Sequence, residues 1–67
     1  MAVMKTKIKE YHAKYDMTQD TLAEMVGARS ETISRIEKGQ YNPSLKLAMD
    51  IAKIFEVTVE ELFFFEE

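Results

Sequence analysis

Apolar positions return every third or fourth residue through most of the chain, the period of amphipathic helices rather than strands. Ile8, Tyr11 and Tyr15 recur at this spacing with lysines between them, which predicts a first helix over Lys5–Tyr15. Asp16 ends it. Thr18 is a good N-cap for a second helix, and Asp20 lies in the first turn, where the dipole favours a carboxylate. Leu22, Met25 and Val26 form its apolar stripe, and Gly27 closes it. A third helix starts around Arg29–Ser30 and runs to Lys38, with Ile33 and Ile36 inward and Gly39 at its end. Asn42-Pro43 marks a turn, and Ser44 caps a fourth helix through Phe55 whose buried face is Leu45, Ala48, Ile51 or Ala52, and Phe55. Thr58 with Glu61 matches a capping box for a short fifth helix, Val59–Phe63.

The two ends break the period. Ala2-Val3-Met4-Lys5 and Phe63-Phe64-Phe65-Glu66 are short runs better suited to strands, and the expectation is that they pair antiparallel. The fold class is therefore mainly all-α, five helices with a small two-stranded sheet joining the ends. One domain spans 1–67, with a helix-turn-helix at 18–38 and strands at about 2–5 and 63–66.

Composition narrows the chemistry. The chain has 67 residues, 46% of them hydrophobic, with two glycines and one proline, which describes a folded domain near the lower size limit for a single core. With no cysteine and a lone histidine, His12, it offers neither disulfide nor metal-ligand cluster. No metal or other cofactor is expected, and scattered carboxylates give no arrangement for general acid–base work, so an enzyme is not expected. The five methionines are read as core or start residues. No apolar run has the length of a membrane span, and Met1–Lys9 is not a signal peptide, which points to the cytoplasm. The net charge of −3 argues against nucleic acid until its distribution is considered. Residues 1–40 carry seven Lys/Arg against six Asp/Glu, and residues 41–67 carry two against six. The acid is concentrated late, so the first half can present a locally positive face.

Gln19 to Lys38 reads as two short helices joined by a tight turn. Ala23 is small where the helices would cross, Gly27 permits positive φ at the turn, and Ile33 anchors the third helix on the second. Together with Met17-Thr18-Gln19 before them, Thr32 to Gly39, and Tyr41-Asn42-Pro43-Ser44-Leu45 after them, these residues make the chain resemble the Cro/C1-type (XRE) helix-turn-helix family, the fold of lambda-like phage repressors. The likeness covers about residues 7 to 63 and is closest to short stand-alone members, in which a terminal two-stranded sheet and a twofold dimer are known.

The resemblance implies a regulator of transcription, a repressor that binds a near-palindromic operator in double-stranded DNA as a homodimer, with the third helix in the major groove. By position, Ser30, Glu31, Arg35 and Ser34 would face base edges. Gln19, with Thr18 beside it, would reach a phosphate and brace the recognition helix. Arg29, Lys38, Gln40, Tyr41 and Asn42 would flank the backbone. The dimer would be covered by Val59, Leu62, Phe63, Phe64 and Phe65. The chemistry agrees: Arg35 can bond two acceptors of guanine at once, and Glu31 can accept from the amino group of cytosine.

Ordinary readings stand beside these. Arg35 also has a reading as a solvated charge, the less favoured one, whereas Glu31 reads equally as an answer to the helix dipole and Tyr41 as a ring packed on Leu45. A second function also stays open, an antitoxin-like or adaptor protein whose main partner is another polypeptide, met by the acidic half and the phenylalanine run. Three departures from the family pattern matter, the first being that Arg29, Ser30 and Glu31 are unusual as a set at the reading positions. His12 stands where arginine commonly pairs with the glutamate matching Glu37, which predicts a His12–Glu37 contact. Asp16 and Glu56 stand where glycine often follows a helix.

Overall fold

The computed structural model describes residues 3–66. The order is β1 (Val3–Thr6), α1 (Ile8–Lys14), α2 (Gln19–Val26), α3 (Ser30–Glu37), α4 (Leu45–Ile54), α5 (Val59–Leu62) and β2 (Phe63–Glu66). It is the expected mainly helical architecture with a two-stranded antiparallel sheet. Val3 faces Glu66, Met4 faces Phe65, Lys5 faces Phe64 and Thr6 faces Phe63. The expected Ala2 lies outside the described residues.

Two boundaries move for one reason. The Lys7 N–H donates to the Leu62 carbonyl at 2.9 Å, so the ladder of β1 runs through Lys5 and Thr6, and α1 begins only at Ile8. On the other strand Phe63 belongs to β2, which shortens α5 to Leu62.

The helix starts follow their caps. The Thr18, Ser44 and Thr58 side-chain oxygens each accept from the backbone N–H three residues on, at 3.1 Å. The capping box at Thr58 is closed differently from the usual form, because the Glu61 carboxylate accepts from the Thr58 hydroxyl at 3.2 Å. The stops of α1 to α4 share one device. Asp16, Gly27, Gly39 and Glu56 all have left-handed backbone, with φ of 52°, 70°, 73° and 59°. Beyond each, an N–H reaches back to a carbonyl five residues earlier: Met17 to His12, Ala28 to Ala23, Gln40 to Arg35 and Val57 to Ala52. Each satisfies an orphan carbonyl of the last turn.

At Glu56 the left-handed conformation costs about 1 kcal/mol relative to glycine. Glu56→Gly should therefore be neutral or raise the melting temperature by a few degrees, the extra freedom of unfolded glycine offsetting part of the gain. A clear drop in a thermal melt would contradict this account of the turn.

Ile8, Leu22, Ile33, Ile36, Ile51, Phe55 and Leu62 are fully buried and form one core with Ala23 and Ala52. Each large side chain contributes about 1.5–3 kcal/mol by leaving water. The Phe55 ring stacks with those of Tyr11 and Tyr15, at 5.3 and 5.8 Å, and the Tyr15 hydroxyl donates to the Phe55 carbonyl.

Three residues expected on core faces are exposed: Leu45 at 73%, Met25 at 57% and Met49 at 54%. The period identified the helices but centred their stripes wrongly. On α2 the face is Leu22, Ala23 and half-buried Val26, which leaves Met25 more than a quarter turn away. Met49 departs in the same way from the Ala48, Ile51, Ala52, Phe55 stripe. Leu45 opens α4 and lies beyond the core, beside Pro43 and Phe65. Of the other methionines, Met4 is buried and Met17 half-buried, and Met1 lies outside the described residues.

Candidate nucleic-acid interface

Because Ile33 and Ile36 turn inward, α3 presents Ser30, Glu31, Ser34 and Arg35 as one outward face. These four share a shallow depression of about 350 Å³ with Gln19 from the start of α2, and with Lys38 and Gln40 from the turn after α3. Seven of the residues singled out in the sequence thus meet on one surface. Thr18, Arg29 and Tyr41 do not line it, although each is exposed. Thr18 is occupied as a helix cap, and its hydroxyl also meets that of Thr21 at 2.9 Å. Tyr41 is 46% exposed, and Leu45 is more exposed still, so the ring is not sheltered there. Asn42 faces elsewhere, into an apolar depression with Pro43, Leu45, Val59, Phe63 and Phe65.

The orientation of α3 is braced from beneath. The Gln19 side-chain amide donates to one carboxylate oxygen of Glu37, at the end of α3. The other carboxylate oxygen lies 2.8 Å from His12 Nδ1 on α1, the contact expected from the sequence. Both side chains are about nine-tenths buried, at 10% and 11% exposure. The His12 ring meets Phe55 edge-on at 5.9 Å, and its Nε2 is buried without a hydrogen-bond partner among the described residues. One carboxylate therefore links three helices: Gln19 of α2 donates to one of its oxygens, and His12 of α1 lies against the other, which is also buried without a hydrogen-bond partner among the described residues.

Sequence reasoning missed the neighbouring surface. A larger depression of about 850 Å³ shares Gln19 and Lys38 with the first and adds Thr6, Lys9 and Glu10 above the His12–Glu37 pair. No periodicity signals it, because it arises where the β1–α1 junction meets the ends of α2 and α3.

Of the residues assigned to a dimer contact, Phe65 is 64% exposed, while Val59, Phe63 and Phe64 are half-buried. Leu62 is a correction: its side chain is fully buried in its own core and has no surface to offer a second chain. Among the described residues no helix is long and apolar enough to cross a membrane.

A two-helix unit that exposes a polar face of α3, braced on α2 and flanked by basic residues, defines a DNA-binding helix-turn-helix protein. The Helix-turn-helix family model matches residues 8–62, and the chain belongs to that family, in its Cro/C1-type (XRE) branch. An uncharacterised HTH-type transcriptional regulator of Archaeoglobus fulgidus is 56% identical over 64 residues, covering 96% of this chain and 90% of its own length. One from Methanocaldococcus jannaschii is 50% identical, with 96% and 97% covered, and one from Bacillus subtilis is 45% identical with the same coverage. Among solved structures, a candidate DNA-binding protein from Bacteroides fragilis superposes with a TM-score of 0.79 at 31% identity, over 91% of this chain and 98% of that one. The restriction-modification controller protein of Aeromonas hydrophila gives 0.74 at 25% identity, over 82% and 83%. The protein is a transcriptional regulator with a helix-turn-helix DNA-binding domain, and its family is not one of enzymes.

Proposed function

We propose that the protein is a repressor that reads a near-palindromic operator as a homodimer, each copy setting α3 in the major groove. The observation that carries this is the single surface shared by Gln19, Ser30, Glu31, Ser34, Arg35, Lys38 and Gln40. On it Arg35, Glu31, Ser30 and Ser34 are the groups with the donor and acceptor chemistry for base edges, and Lys38, Gln40 and Gln19 supply sequence-independent affinity for phosphates. Thr18, Arg29 and Tyr41, exposed around its rim, contribute further backbone contacts. Asn42 takes part only where the DNA passes the α3–α4 turn.

The dimer is proposed through the apolar surface of Val59, Phe63, Phe64 and Phe65, to which exposed Leu45 adds area. Twofold symmetry places two copies of α3 one DNA turn apart, ~34 Å, on the same face of the duplex. Occupancy alone then blocks polymerase, and the working protein is cytoplasmic. The whole chain, 1–67, acts as one DNA-binding domain in this reading. No cofactor takes part.

Selection of random duplexes by the purified protein tests this, with its mass in solution measured alongside. A twofold-symmetric motif enriched by a dimer is the expected result. A folded protein that enriches nothing would overturn the reading and direct attention to a polypeptide partner instead.

A further inference from the structure

The reading surface does not end at Gln19. Gln19 and Lys38 belong to both depressions, so they form a ridge with the α3 face on one side and Thr6, Lys9 and Glu10 on the other. The floor of the second depression is the His12–Glu37 pair, whose carboxylate is already occupied by His12 and by the Gln19 amide. The acidic group nearest the floor is thus turned inward, about nine-tenths buried, rather than facing solvent. The charges left facing solvent there are Lys9, Lys38 and Glu10. Lys9 makes no ion pair with any described residue, unlike Lys46, which pairs with Asp50 at 2.8 Å.

We infer that Lys9, at the start of α1, holds a phosphate of the DNA backbone one step beyond the phosphate reached by Gln19, with Thr6 beside it and Glu10 opposing it. This rests on the DNA-binding reading above and extends it to an element outside the helix-turn-helix. The ligand chemistry is a phosphodiester of duplex DNA, held by charge without base recognition. A lysine ammonium on a flexible stem suits such a contact, since it needs no fixed geometry. The two carboxyl-bearing neighbours separate by role. Glu37 is internally paired, whereas Glu10 stays exposed on the same rim and weakens the attraction.

The test compares affinities for the selected duplex and for a scrambled one across a range of salt. Lys9→Ala should weaken both duplexes by the same factor and lower the slope of log affinity against log salt by about 0.9. The wild-type advantage over Lys9→Ala then shrinks about threefold to fourfold between about 50 and about 200 mM salt. Glu10→Gln should tighten both duplexes. Lys53→Ala, on α4 and outside both depressions, serves as the charge control and should change the slope less than Lys9→Ala. All of these side chains are exposed, and a thermal melt of each variant confirms that the fold is kept. If Lys9→Ala keeps the wild-type slope while Lys38→Ala lowers it, the extension to α1 is wrong and the DNA reading survives. If neither lysine nor Arg35 affects binding, both fail together.

Discussion

Arg35→Ala should weaken binding to the selected operator by about tenfold to a hundredfold while leaving binding to scrambled DNA much less changed. The side chain leaves the last turn of α3 exposed, beside Ser34 and facing the same depression as Glu31. A guanidinium there can donate two parallel bonds to the acceptors on guanine, which is worth ~1–3 kcal/mol of discrimination. Its loss removes that term and one unit of charge, so specific affinity falls more than non-specific affinity. Selection repeated with the variant should also relax one base position in each half-site. Helix content and melting temperature should stay near wild type, because a surface charge is worth little to stability. Equal losses on operator and scrambled DNA would reassign Arg35 to the backbone.

Gly39→Ala should be the more damaging of two substitutions that look alike in sequence. Gly27 and Gly39 both have positive φ, 70° and 73°, and both close a helix of the DNA-binding unit. A Cβ at Gly27 meets nothing within 4 Å, so Gly27→Ala carries only the conformational cost, about 1 kcal/mol. A Cβ at Gly39 would lie 2.6 Å from the Met4 carbonyl oxygen, which is backbone in β1. The turn and the strand must then separate, and Met4, a core residue paired with Phe65, moves with them. The expected loss is about 2–4 kcal/mol, the conformational cost plus overpacking. In a domain of this size that is a fall in melting temperature of about 10 °C or more, against about 4–8 °C for Gly27→Ala. Equal losses for the two would show that the approach of Gly39 to Met4 is relieved without cost.

What the sequence revealed follows from the range over which each feature is decided. Thr18, Ser44 and Thr58 cap helices through bonds to the third residue onward, so their own neighbourhood was enough to find them. Gly27 and Gly39 were visible for the same reason. Asp16 and Glu56 adopt the same left-handed backbone without glycine; the pattern ended the first helix at Asp16, but only the family resemblance marked either position as one for glycine. The His12–Glu37 contact spans 25 positions and likewise came from the resemblance rather than from spacing. Exposure was the weaker inference. Met25, Leu45 and Met49 are apolar residues on true helices, and whether an apolar residue is covered depends on which element crosses there. Leu62 erred in the opposite sense, drawn to the surface by its place beside the phenylalanine run. Lys9 was not singled out at all, since its depression is assembled from three separate stretches of the chain.

The pairing of Val3 with Glu66 joins residues 63 positions apart, nearly the full length of the chain. Every helix and every turn can form from contacts within a few dozen residues, but this sheet cannot form until the rest has brought its strands together. Loop-closure entropy therefore places β1–β2 pairing late on the folding route. Interactions formed after the transition state act on the unfolding rate and leave the folding rate almost untouched. The small sheet should then work as a latch: weakening it is expected to speed unfolding of the DNA-binding unit more than it slows assembly.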